Sequence, residues 1–175
     1  MLKTFEEHLK NVAAVDNGDF HDRLRERIGK KAAPVLEKRL KDMILLTPHL
    51  LLRIYRYGTD PETPQAAKTL AESALIYFYH PKDFIPDGGR RLFGYLDDAY
   101  YIALLYERIL RSLIRSRFAI PEFDKNYLKQ IKLVRRGVKL AIPGEAPVIE
   151  ETINSIRTEE ETGRCPIPGA EGKGI

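Results

Sequence analysis

Tryptophan is absent from this chain and cysteine occurs once, at Cys165, so no internal disulfide is available. A fold without staples must hold itself by a packed core. The 175 residues, 43% of them apolar, are enough to build one. The lone thiol sits among Gly163, Arg164, Pro166, Pro168 and Gly169. That setting lacks the fixed base and shaped pocket a nucleophilic cysteine requires, and Cys165 reads as incidental. Long apolar runs are missing too. The longest candidates, residues 74–79 and 99–106, fall well short of the roughly 18 residues of a membrane-spanning helix. Residues 1–8 carry acids where a secretory leader would be apolar, which points to a cytoplasmic location. Strong charge of one sign is lacking as well. A net charge of +4 and a pI near 9.1 permit an anionic partner without demanding one.

No strand-period ladder and no internal repeat is visible, whereas helical periodicity is present nearly throughout. The spacing predicts helices over residues 2–15 and 20–29, separated by Asp16, Asn17 and Gly18. Pro34 suits the first turn of a third helix, 34–46, where its missing N–H is not needed. Thr47 and Pro48 repeat that device as cap and first residue of a helix 48–57, with Gly58 as a left-handed stop. Thr63 and Pro64 open another, to residue 79. A long apolar helix follows over 96–118, and Asp124 caps a last one reaching residue 142. From Pro143 onward proline and glycine become frequent. A short helix over 148–156 is compatible with the pattern, but 143–175 is expected to be a flexible, largely disordered tail. The fold class is therefore all-α, a compact multi-helix domain over residues 1–142.

The most unusual stretch joins the two central apolar helices. Residues 80–95 hold Pro81, Pro86, Gly88, Gly89 and Gly94, interleaved with Phe84, Ile85, Leu92 and Phe93. Prolines stiffen such a segment, glycines allow sharp turns, and the four apolar side chains favour burial. A compact corner results. Its backbone groups need partners, since an unmade buried hydrogen bond costs about 1–3 kcal/mol. Asp83, Asp87, Asp97 and Asp98 are placed to supply them, the last two at the positive end of the following helix.

The corner also resembles a known family. Tyr77, then Pro81, Asp83, Phe84, Ile85, Pro86 and Asp87, then Gly94, Tyr95, Leu96, Asp97 and Asp98 look like the signature of the YkvA-like helical domain family (domain of unknown function 1232) over roughly residues 67–109. The resemblance implies a small helical domain found mostly in bacteria, with no assigned activity, whose relatives are in some cases attached to membranes or larger proteins. The spacer, residues 88–93, is more polar than the family's, which argues against a membrane-embedded corner.

Two sets of candidate site residues emerge. Asp83, Asp87, Asp97 and Asp98 are hard oxygen donors of the kind that bind Mg²⁺, Mn²⁺ or Ca²⁺, and a metal there could activate water for hydrolysis. Against this, no Ca²⁺ loop or metalloprotease helix is present. Capping and pairing with Lys82, Arg90 and Arg91 is the expected role, and no cofactor is expected. His80 stands alone, and Gly88 and Gly89 lack the Lys and Ser/Thr of a phosphate loop. The second set is Lys125, Lys129, Lys132, Arg136 and Lys139, which share one face of the last helix opposite Leu128, Ile131, Val134, Val138 and Ala141. Such a helix can be a solvated outer face, or can lie on an anionic membrane or nucleic acid. The aromatic interleaving of single-strand binders is missing, which ranks nucleic acid last. Six tyrosines, Tyr77, Tyr79, Tyr95, Tyr100, Tyr101 and Tyr106, gather near the corner as core or as a partner groove. The expected function is a non-enzymatic, partner-binding helical module, possible contact with an anionic membrane included. A metal-dependent hydrolase and a weak nucleic-acid binder are the alternatives.

Overall fold

The computed structural model describes residues 2–79 and 91–156. Among these, every regular element is helical: α1 (Leu2–Ala14), α2 (Asp19–Ile28), α3 (Ala33–Thr59), α4 (Gln65–Tyr79), a 3₁₀ turn (Leu92–Tyr95), α5 (Leu96–Arg115), α6 (Glu122–Ala141) and α7 (Glu145–Ser155). α5 is the central pillar. It is buried on most sides, from Leu96 through Tyr100 and Tyr106 to Leu113, and its polar residues Asp97 and Glu107 are buried with them. α3, α4, α6 and α7 pack around it, and α1 and α2 lie against α3.

Local chemistry explains most boundaries. Asn17 (φ 42°) and Gly18 (φ 87°) make the left-handed turn between α1 and α2, and Gly29 (φ 85°) ends α2. Two boundaries differ from the sequence expectation. Residues 34–46 and 48–57 form one 27-residue helix, α3, with Pro48 inside it. Pro48 removes an amide, yet Leu40, Met43, Ile44, Leu50, Leu51 and Ile54 bury one continuous face across it. Each fully buried aliphatic side chain contributes about 1.5–3 kcal/mol, so together they outweigh the roughly 3 kcal/mol cost of a mid-helix proline. Thr47 is no cap; its hydroxyl donates back to the Met43 carbonyl at 3.3 Å. Gly58 is not a left-handed stop either. It lies inside α3, where a Cβ would come within 3.3 Å of the Ala71 Cβ, so it permits the close approach of α3 and α4.

The helical body also continues past residue 142, which corrects the expected tail over 145–155. α7 inserts Ala146, Ile149 and Ile153 into the common core, and Arg108 of α5 donates to the carbonyls of Ile153 and Ile156 at its end. The Ile153 carbonyl also accepts the Ile156 amide at 3.2 Å, so the guanidinium adds a second donor there and reaches the Ile156 carbonyl just past the helix end. Residues 157–175, including Cys165, lie outside the described residues.

Candidate functional site

At the end of α4, Tyr77 stacks on Tyr101 of α5, ring centroids 3.7 Å apart. Its hydroxyl donates to Asp98 Oδ1 at 2.7 Å. Burial and then the Asp98 charge push the Tyr77 hydroxyl pKa well up, so it stays a donor. Asp97, fully buried, accepts the Asp98 amide at 2.9 Å on Oδ1, pairing one of the first-turn amides that α5 cannot pair internally. Leu92 and Phe93 are buried as their position implied, with Phe93 packed against Phe20 and under Arg27. Arg91 pairs with Asp19 of α2 rather than with Asp97 or Asp98. Asp83 and Asp87, with His80, Phe84, Ile85 and Arg90, lie outside the described residues. Among the described residues no three His, Cys, Asp or Glu side chains converge as a metal site would require. Tyr95 is tied to α1 through His8, 2.8 Å from its hydroxyl, and Tyr79 is exposed.

A second polar centre lies at the start of α6. Asp124, expected as a cap, is fully buried instead. It accepts Arg53 through Nε at 3.1 Å and through Nη2, and the hydroxyls of Tyr57 and Tyr106. Burial, then Asp124, raises both tyrosine pKa values; Asp124 also holds the Arg53 guanidinium charged despite its partial burial. This centre joins α3, α5 and α6. A signal for it was present. Asp124, Ile131 and Val138 recur at intervals of seven, which places the acid on the buried face of α6.

Glu150 of α7 forms a third centre. Its Oε1 accepts Tyr100 at 2.6 Å and Arg135 at 2.8 Å, and its Oε2 accepts Lys139 at 2.9 Å. Burial alone would raise its pKa, but the bonds from Tyr100, Lys139 and Arg135 outweigh this and hold it at about 2.

These contacts divide the five cations that the sequence assigns to one face of α6. Lys139 is bound to Glu150, and Lys125 pairs with Glu122 at 3.0 Å. Lys129, Lys132 and Arg136 are exposed, with no ion pair among the described residues. Beside them the helix presents two apolar side chains that sequence reasoning missed, Leu133 (67% exposed) and Leu140 (49% exposed). On its other flank α6 meets α3 in a groove of about 530 Å³. Met43, Leu46, Ile131, Leu133 and Val134 give it an apolar lining, with Arg39, Asp42, Tyr127 and Gln130 completing it.

The described residues thus define an all-α protein with α5 at its centre. Residues 67–104, α4 with the corner and the first half of α5, match the family model described as a protein of unknown function (DUF1232), the family that the corner motif resembles. No curated protein and no solved structure matches the chain.

Proposed function

We propose that the chain is a non-enzymatic recognition module that docks an amphipathic helix of a protein partner in the groove between α3 and α6. The observation that carries this is the open, apolar-lined groove itself. Arg39 and Leu46 lie seven residues apart on α3, so the groove runs for about 10 Å, close to two turns of a docked helix. Leu133 and half-buried Leu46 give the groove its accessible apolar surface, over a floor of buried Met43, Ile131 and Val134. Arg39 and Asp42, one turn apart at the edge, select a partner helix with an acid and a base at matching spacing. The described carboxylates of Asp98, Asp124 and Glu150 meanwhile serve as acceptors that join helices.

A photo-crosslinking residue at Gln130 tests this in the native cell, with one at Val15 as control. The expected result is one discrete adduct from Gln130, lost on Asp42→Lys, whose partner-derived helix then binds the purified chain. Equal adducts from both positions, or an adduct indifferent to Asp42→Lys, would overturn it.

A further inference from the structure

The outer face of α6 carries a second pattern, which shares only Leu133 with the groove. Lys129, Leu133, Arg136 and Leu140 follow one another at steps of four, three and four, which places them in one stripe along the helix. Lys132 lies beside the stripe, and Leu133 alone also borders the groove. A scattered exposed leucine is ordinary. Two leucines in register, each one helical turn from an uncompensated cation, are a different pattern. A solvated face gains nothing from the leucines, and a nucleic-acid backbone contacts cations but has no use for aliphatic side chains beside them. A bilayer of anionic lipid uses both, taking leucines into the acyl boundary and cations at the headgroups. Two neighbouring acids are already engaged, Glu122 with Lys125, and Glu150 with Arg135 and Lys139, while Asp42 lies on the groove side of Leu133. The long stems of the lysines and arginine also let them reach headgroups while the leucines go deeper.

From this juxtaposition we infer that the outer face of α6 seats the protein on an anionic phospholipid surface, with Leu133 and Leu140 inserted and Lys129, Lys132 and Arg136 on the headgroups. The helix lies in the interface plane; no described helix is long and apolar enough to cross a membrane. The groove faces α3 and shares only Leu133 with this face, so Leu140 reports on the outer face alone.

The full chain is sedimented with vesicles of phosphatidylcholine mixed with phosphatidylglycerol, and with phosphatidylcholine alone. Binding is expected only to the anionic vesicles and weakens with salt. Each cation removed lowers partitioning about five-fold, so Lys129→Gln, Lys132→Gln and Arg136→Gln combined lower it roughly a hundredfold. Leu140→Ser lowers it several-fold at unchanged charge. All positions are exposed, and each variant keeps the parent's unfolding midpoint, which separates lost binding from lost folding. Equal sedimentation with neutral vesicles, or none with anionic ones, overturns the inference. So does duplex nucleic acid binding that exceeds vesicle binding and is unchanged by Leu140→Ser. Crosslinking at Gln130 reports on the groove separately.

Discussion

Replacing Asp124 by alanine removes the acceptor of four hydrogen bonds at once, two from Arg53 and one each from Tyr57 and Tyr106. The Arg53 side chain is only 14% exposed, so its charge keeps little access to water. Stranding one member of a buried ion pair costs about 3–5 kcal/mol. Each stranded buried hydroxyl adds up to about 1–3 kcal/mol, but these losses overlap because Arg53 also donates to Tyr57 at 3.1 Å and can partly reorganise. The net expectation is about 3–5 kcal/mol, a large share of the roughly 5–15 kcal/mol by which a domain is stable. For a chain of this size that lowers the melting temperature by roughly 6–20 °C. Urea unfolding followed by circular dichroism measures it. A companion cycle decides the cause: in an Arg53→Met background, Asp124→Ala costs less, by about 1–3 kcal/mol of coupling. A loss below about 1 kcal/mol, or full additivity of the two changes, would refute the view that this carboxylate joins the three helices.

Two further outcomes follow from the packing. Glu150, held at about 2 from an ordinary 4.5, adds stability that is complete above its unfolded value and lost as pH falls from about 4.5 towards 2. Urea midpoints of the parent chain should therefore drop more steeply across that window than those of Glu150→Gln, and parallel profiles would contradict the α7 latch. Gly58→Ala places a Cβ 3.3 Å from the Ala71 Cβ, a tight contact that the gain in helix propensity of about 0.8–1 kcal/mol offsets. Gly58→Leu cannot be accommodated so and should cost about 1–3 kcal/mol by overpacking, read from the same midpoints.

The all-helical class and the start of α5 at Leu96 were legible because strong periodicity meets a clear break there. The division of α3 was not. Thr47 and Pro48 make a convincing local start signal, and only the burial of apolar residues on both sides of it, a tertiary fact, keeps the helix continuous. Asp124 failed for a related reason. An acid in a first helical turn is what capping and the helix dipole both favour. Its actual partners Arg53 and Tyr57 lie 71 and 67 residues away, beyond any local pattern. Of the four corner aspartates, Asp97 and Asp98 are placed by local and inter-helix bonds, while Asp83 and Asp87 lie outside the described residues. On α6 the cationic residues were legible as a helical face. The meaning of Leu133 and Leu140 was not, because a leucine in an amphipathic helix is assigned to the core until its exposure is known.

The absence of tryptophan makes the most direct measurement simple. Leu140→Trp carries the one tryptophan, excited apart from the tyrosines, on the outer face of α6, and Val15→Trp carries one at an exposed position between α1 and α2. Membrane seating through α6 predicts a blue shift and shielding from an aqueous quencher for Leu140→Trp on vesicles containing phosphatidylglycerol, with Val15→Trp unchanged. An emission from Leu140→Trp that ignores the vesicles, or an equal shift at both positions, would contradict it.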